Sequence, residues 1–221
     1  MPLTNSQIDR YSRQIIVPKI GGIGQERLLA SRLMIVGDVA GVEPALAYIV
    51  GAGVGTIFLR VPAGDTAAFA PVIAAMRGLN PDVTIQVVLD TPDRVDLVLA
   101  LASNSDALEN VRGFCAMRWN APMVFARLDS ARLGSQAKVA VLPSRPPCPV
   151  CADGDLLAPF EKRGENAGFV AMVAAVEALK TLVQYVAAPE PLMIEFDGYE
   201  SKPRKLGVRS GPVPCGCGAS Q

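Results

Sequence analysis

The chain has 221 residues, half of them hydrophobic, and its 21 basic residues balance 21 acidic ones. That is enough to bury one large core or two small ones, and the balanced charge argues against nucleic acid, acidic lipid or a strongly charged substrate as partner. Aromatics at 5% are too few for base-stacking platforms, and the lack of any histidine excludes Ser-His-Asp and Cys-His nucleophile pairs.

Ser6 to Val17 alternates charged and apolar residues at helical spacing, and Gln25 to Ala30 reads as a second short helix. Leu33-Met34-Ile35-Val36 is a compact apolar run ending at Gly37, the pattern of a strand buried on both faces. Glu43 to Val50 has the small apolar character of a helix packed on a sheet, and Gly51 to Gly55 breaks it before the strand Thr56 to Leu59. Thr66 to Arg77 reads as a helix despite Pro71, followed by strands at Thr84 to Leu89 and Asp96 to Leu101. A helix over Ser105 to Trp119 and strands at Met123 to Ala126 and Gln136 to Leu142 complete the alternation. Strand and helix taking turns predict a doubly wound, mostly parallel sheet of the α/β class.

A proline-rich stretch, Pro143 to Pro149, marks a change of pattern. Asp153 to Asn166 is polar and loop-like, and Gly168 to Val186 reads as one long buried helix. Leu192 to Phe196 and Lys205 to Val208 predict an antiparallel pair at the sheet edge, turning near Asp197-Gly198. One domain over 1–221 is expected, with N-terminal helices to residue 32, a sheet core over 33–145 and a C-terminal elaboration over 146–221.

Targeting signals are not evident. Met1 to Asn5 lacks the basic-then-apolar layout of a secretion signal. Pro44 to Leu59 is shorter than the roughly 20 residues a membrane helix needs, and Glu177 and Lys180 interrupt the longer apolar stretch. A cytoplasmic location with reduced thiols is the expectation, and there paired cysteines favour metal over disulfide.

Those cysteines are Cys148-Pro-Val-Cys151 and Cys215-Gly-Cys217. Two pairs offer four thiolates to one tetrahedral zinc. The first pair has chelate spacing, and Pro147 and Pro149 stiffen its loop. The second is one residue tighter, with Gly216 and Gly218 supplying torsional freedom. All four positions being filled, such a zinc would be structural. A redox pair or an unmetallated remnant are the alternatives, although a redox C-x-x-C normally opens a helix rather than sitting among prolines. Cys115 stands alone in an apolar helix and is expected to pack in the core.

After the first strand, a nucleotide site needs glycines that let backbone N–H groups approach phosphate at a helix start. Here the loop reads Gly37-Asp38-Val39-Ala40-Gly41-Val42-Glu43. Its two glycines are not at G-x-G-x-x-G spacing. Val39 and Val42 place branched side chains where bare backbone is wanted, and Asp38 and Glu43 add negative charge. The other reading is a plain strand-to-helix turn.

Arg10-Tyr11-Ser12-Arg13-Gln14-Ile15, Gly24-Gln25-Glu26-Arg27-Leu28, the strand Leu33 to Val36 and Ala52-Gly53-Val54-Gly55 together resemble the E1-like MoeB/ThiF/HesA family, relatives of ubiquitin-activating enzymes. The paired cysteines and the long helix between them lie where that family keeps a structural zinc. The resemblance implies a Rossmann-like sheet and a homodimer. It also implies ATP- and Mg²⁺-dependent adenylation of the C-terminal glycine of a ubiquitin-like or sulfur-carrier protein, with an arginine finger reaching in from the partner subunit.

Position by position, the resemblance assigns the finger to Arg13. The phosphate loop G-x-G-G-x-G falls on Gly37, Val39, Ala40 and Val42, so three of its four glycines are missing and Gly37 and Gly41 are what remains. The acidic ribose-binding positions fall on Val61 and Ala63, the conserved lysine near Ala68, and the C-T-D-N motif on Leu101-Ala102-Ser103-Asn104, where only Asn104 survives. Too few cations and no metal carboxylate predict weak or absent ATP binding. The expectation is a carrier-recognising protein with a degraded nucleotide site. A working adenylyltransferase is the alternative, and a nicotinamide oxidoreductase is a third reading that suffers from the same broken loop and lacks the acidic ribose residue, with Arg60 there suited instead to a 2′-phosphate. Lys202, Arg204, Lys205 and Arg209 form a basic cluster that could cradle a carrier tail or simply protect an edge strand.

Overall fold

Residues whose side chains are apolar in both directions can only be satisfied inside a sheet covered on both faces. The computed structural model describes residues 2–61, 66–90, 92–116, 121–128, 136–142, 167–184, 191–197 and 204–207. In it β1 (Arg32–Gly37), β2 (Thr56–Arg60), β3 (Thr84–Val87), β4 (Leu97–Ala102) and β5 (Met123–Arg127) run parallel to one another. β6 (Gln136–Leu142), β7 (Leu192–Asp197) and β8 (Arg204–Gly207) continue the sheet antiparallel, giving the order β3-β2-β1-β4-β5-β6-β7-β8. The fold class is therefore as expected, and the antiparallel part already begins at β6.

Helices cover the two faces unequally. On one face, α3 (Val39–Ala52), α4 (Thr66–Leu79) and α6 (Ala167–Leu182) close over Leu33, Ile35, Leu59, Leu99, Val124 and their neighbours. On the other, α5 (Ser105–Ala116) packs Val111, Phe114 and Cys115 against Met34, Val36, Val98 and Ala100. Each fully buried Leu, Ile, Val, Phe or Met side chain contributes roughly 1.5–3 kcal/mol, and β1 and β4 consist almost wholly of such residues. No helix among the described residues is long and apolar enough to cross a membrane.

α1 (Asn5–Ile15) and α2 (Gly21–Ala30) lead into β1. The start of α1 is fixed by a capping box: Thr4 Oγ1 accepts the Gln7 N–H at 3.3 Å, and Gln7 Oε1 accepts the Thr4 N–H at 3.1 Å. Two helices begin four residues before the positions expected from sequence, α2 at Gly21 and α3 at Val39. Glycines and branched residues in those first turns mimic a loop, while burial of Gly24, Gln25, Gly41 and Val42 holds them helical. α3 ends at Gly53, whose left-handed backbone (φ +85°) suits glycine.

Candidate functional site

The order β2-β1-β4 places a topological switch point between β1 and β4, where loops leave the carboxyl ends of adjacent strands in opposite directions. Gly37 pairs in register with Leu101, so the β1–α3 and β4–α5 loops face each other there. Asp38, at the N-cap of α3, is 5% exposed. Its carboxylate points across the gap rather than at the amides of its own helix. The Ser103 N–H donates to Oδ1 at 3.2 Å and the Ser103 hydroxyl donates to Oδ2 at 2.5 Å. Ser103 is itself 1% exposed. A buried carboxylate is tolerable there because both oxygens are hydrogen-bonded and the amino end of α3 carries partial positive charge.

The two loop glycines are packed rather than open. A Cβ on Gly37 would collide with the Leu101 carbonyl oxygen, and one on Gly41 would lie 2.8 Å from Leu128 Cδ1 and 3.3 Å from Asp38 Oδ1. Val42 turns into the core at 1% exposure, and its Cγ2 lies 3.1 Å from where a Cβ on Gly37 would stand. Asn104 is the residue before α5, and its Oδ1 accepts the Ala107 N–H at 2.8 Å as a helix cap. Gly37, Gly41 and Asn104 thus come together around the Asp38–Ser103 contact. Arg13 does not join them: it is exposed in the last turn of α1. Cys115 is buried in the core, as expected. Cys148, Cys151, Cys215 and Cys217 lie outside the described residues, as do Lys202 and Arg209.

Two arginines stand at the same edge of the sheet: Arg60, weighed from the sequence only for a 2′-phosphate, and Arg127, which sequence reasoning passed over. Arg60 ends β2, with its guanidinium 5.7 Å from the centre of the Phe114 ring. Burial lowers its pKa, and the charge of Asp90 acts in the opposite sense. Arg127 ends β5 at 8% exposure and is in register with Lys138, which is in register with Glu195. Lys138 and Glu195 pair at 3.6 Å. A single basic residue closing an apolar strand was the only available signal for each arginine.

The motif residues near the N-terminus meet at the far end of α3. Gln25 Nε2 donates to the Ala52 carbonyl at 3.0 Å, and Gln14 Nε2 donates both to Gln25 Oε1 at 3.0 Å and to Ala52 O at 3.3 Å. Tyr11, 1% exposed, lies against Gly53, where a Cβ would come within 2.6 Å of its hydroxyl. That hydroxyl donates to Asp82 Oδ2 at 3.0 Å and accepts from Asn80 Nδ2 at 2.9 Å, and Asn80 Nδ2 also donates to Val50 O at 2.7 Å. Burial, foremost, pushes the Tyr11 phenol up to about 12. Arg10 adds an ion pair to Asp82 at 3.4 Å, and Arg27 donates to the Val183 carbonyl just past α6 at 3.1 Å. Most of this signature satisfies carbonyls at helix ends that would otherwise be orphaned.

With the switch-point sheet and this N-terminal docking in view, likeness to known proteins becomes informative. The chain is 29% identical to the sulfur carrier protein ThiS adenylyltransferase of Escherichia coli K12, over 94% of each chain. It is 28% identical to the heterocyst HesA protein of Trichormus variabilis, over 97% of this chain and 91% of the other. Against the SAMP-activating enzyme E1 of Haloferax volcanii it is 26% identical, over 99% and 92% of the two chains. Over nearly its whole length the chain is similar to E1-like proteins of the ThiF/HesA kind. The fold agrees: the structure of E. coli MccB with ATP superposes with a TM-score of 0.68 at 15% identity, covering 97% of this chain and 75% of that one. No protein-family model matches the chain. In this chain the carboxyl edge of the sheet carries the Asp38–Ser103 contact, with Arg60 and Arg127 at the ends of β2 and β5.

Proposed function

We propose that this E1-like protein recognises a ubiquitin-like or sulfur-carrier protein and that its adenylation site is closed. The observation that supports this most is the Asp38 carboxylate, buried across the switch point and bonded twice to Ser103. Phosphate oxygens approaching the start of α3 would meet a fixed negative charge at short range, in a partly desolvated site where Coulomb repulsion is strong. Asn104, engaged in capping α5, brings no carboxylate to replace the one that Ser103 lacks. Calorimetric titration with Mg-ATP is expected to show no binding near the roughly micromolar range, and pyrophosphate exchange in the presence of a carrier protein is expected to stay at background.

A working adenylyltransferase is the second reading, favoured by Arg60 and Arg127. These two partly or fully buried cations sit at the same sheet edge and could balance a polyphosphate. The relatives are adenylyltransferases and activating enzymes by name. Carrier-dependent pyrophosphate exchange that disappears on Arg13→Ala would establish this reading and remove the first.

Two features of assembly complete the proposal. The protein is a homodimer joined through the outer surfaces of α3 and α6, which expose Tyr48 (51%), Phe169 (49%) and Val176 (47%). The charged side chains that α6 carries there, Glu177 and Lys180, neutralise each other at 2.7 Å. The cysteines at 148, 151, 215 and 217 hold one structural zinc: four thiolates are the donor set that closed tetrahedral zinc sites use.

A further inference from the structure

We propose that Asp38 is the crevice's own occupant, a chain-borne anion that staples the two strand ends together where proteins of this architecture bind ligands. The proposal rests on the closed-site reading above and adds a physical role to it. Asp38 and Ser103 are 65 positions apart and belong to the two loops that diverge at the switch point. In an open α/β sheet the crevice between those loops is where ligands bind. Here a carboxylate and a hydroxyl bridge them directly, both nearly inaccessible to water. The surroundings are built around this contact: Gly41 leaves room for Asp38 Oδ1 at 3.3 Å from where its Cβ would stand, and Leu128 and Leu101 close the remaining space.

A charge-assisted hydrogen bond of this length, out of water, is stronger than a neutral one. Two consequences are separable. The contact contributes to folding stability without any ligand, and its charge refuses polyphosphate.

Thermal unfolding in the presence and absence of millimolar inorganic pyrophosphate with Mg²⁺ tests both. The unmodified protein is expected to melt at the same temperature in either condition. Ser103→Ala, which frees the carboxylate but keeps its charge, should melt lower by on the order of 5 °C and gain nothing from pyrophosphate. Asp38→Ala should melt lower to a similar extent and recover part of that loss in pyrophosphate. Asp38→Asn keeps the side-chain volume and removes only the charge, so it serves if the alanine variant does not fold, and it too should be raised by pyrophosphate. If both Asp38 variants are indifferent to pyrophosphate, the staple proposal fails while the closed-site reading stands. If the unmodified protein is itself raised, the closed-site reading fails with it. Should Ser103→Ala melt unchanged, the contact contributes no stability and is no staple.

Discussion

Tyr11 shows how one side chain can carry part of a family signature without touching any chemistry. Its ring fills the space left by Gly53, and its hydroxyl joins Asn80 and Asp82 to α1. Tyr11→Phe keeps the ring but takes one hydrogen bond each from buried Asn80 and half-buried Asp82, which should cost about 1 kcal/mol in denaturant unfolding. The pH response has a definite sign. The phenol is protonated in the fold up to about 12, against an ordinary value of 10.0. An unfolded chain releases that proton first, so stability is complete below pH 10, falls as pH rises from about 10 to about 12, and levels off above. Tyr11→Phe should flatten that alkaline slope, as urea midpoints taken across the window would reveal. The cysteines invite a second experiment at this scale. Metal analysis should find one zinc per chain, and Cys148→Ser with Cys151→Ser should abolish it. A protein that purifies without zinc and melts unchanged in chelator would end the metal proposal.

At the scale of elements, α3 is gripped at both ends. Its start carries Asp38, held to the β4–α5 loop, and its last carbonyls receive Gln14, Gln25 and Asn80. Gln25→Ala removes a buried donor from the Ala52 carbonyl and should destabilise by about 1–3 kcal/mol. Hydrogen exchange is expected to quicken first in the last turn of α3 and in α1. If exchange instead quickens uniformly, the glutamine is not a local clamp. These linkages also mark where sequence reading runs out. β1, β2, β4 and β5 were legible because buried parallel strands need apolar residues in both directions, and each presents an unbroken run. The direction of β6 was not legible: Gln136 to Leu142 would look the same in either orientation, and only its pairing with β5 and β7 decides it. The starts of α2 and α3 were misplaced because Gly21, Gly22 and Val39 resemble a loop until tertiary burial is counted. Asp38 was visible as a misplaced charge, but its partner Ser103 becomes a neighbour only through the register of β1 with β4. Arg60 was read from the sequence only as suited to a 2′-phosphate and Arg127 gave no warning, since a strand-end arginine looks like ordinary surface until the sheet folds around it.

At the scale of the whole molecule, the described helices cover the two faces of the sheet with different completeness, and the outer layer of α3 and α6 exposes large apolar side chains beside Glu43 and the Glu177–Lys180 pair. Burying that layer against a second copy would desolvate Tyr48, Phe169 and Val176 together, and large exposed aromatic and aliphatic residues are typical of interface centres. Sedimentation velocity should report a dimer. Val176→Glu with Tyr48→Glu should shift it to monomer at micromolar concentration while the circular dichroism of the fold is kept. A dimer that survives both charges would move the interface elsewhere.

Among the described residues the sheet ends in β3, where Arg77 Nη2 donates to the Ile85 carbonyl at 3.3 Å. Thr84-Ile85-Gln86-Val87 contains neither lysine nor proline, Val87 is 37% exposed, and Leu89 just beyond it is 78% exposed. An edge strand with apolar side chains in the open is a template on which another chain can add a strand. Heated or crowded preparations should therefore clump through this margin before they unfold. Val87→Lys should delay light scattering on warming and leave the melting temperature where it was.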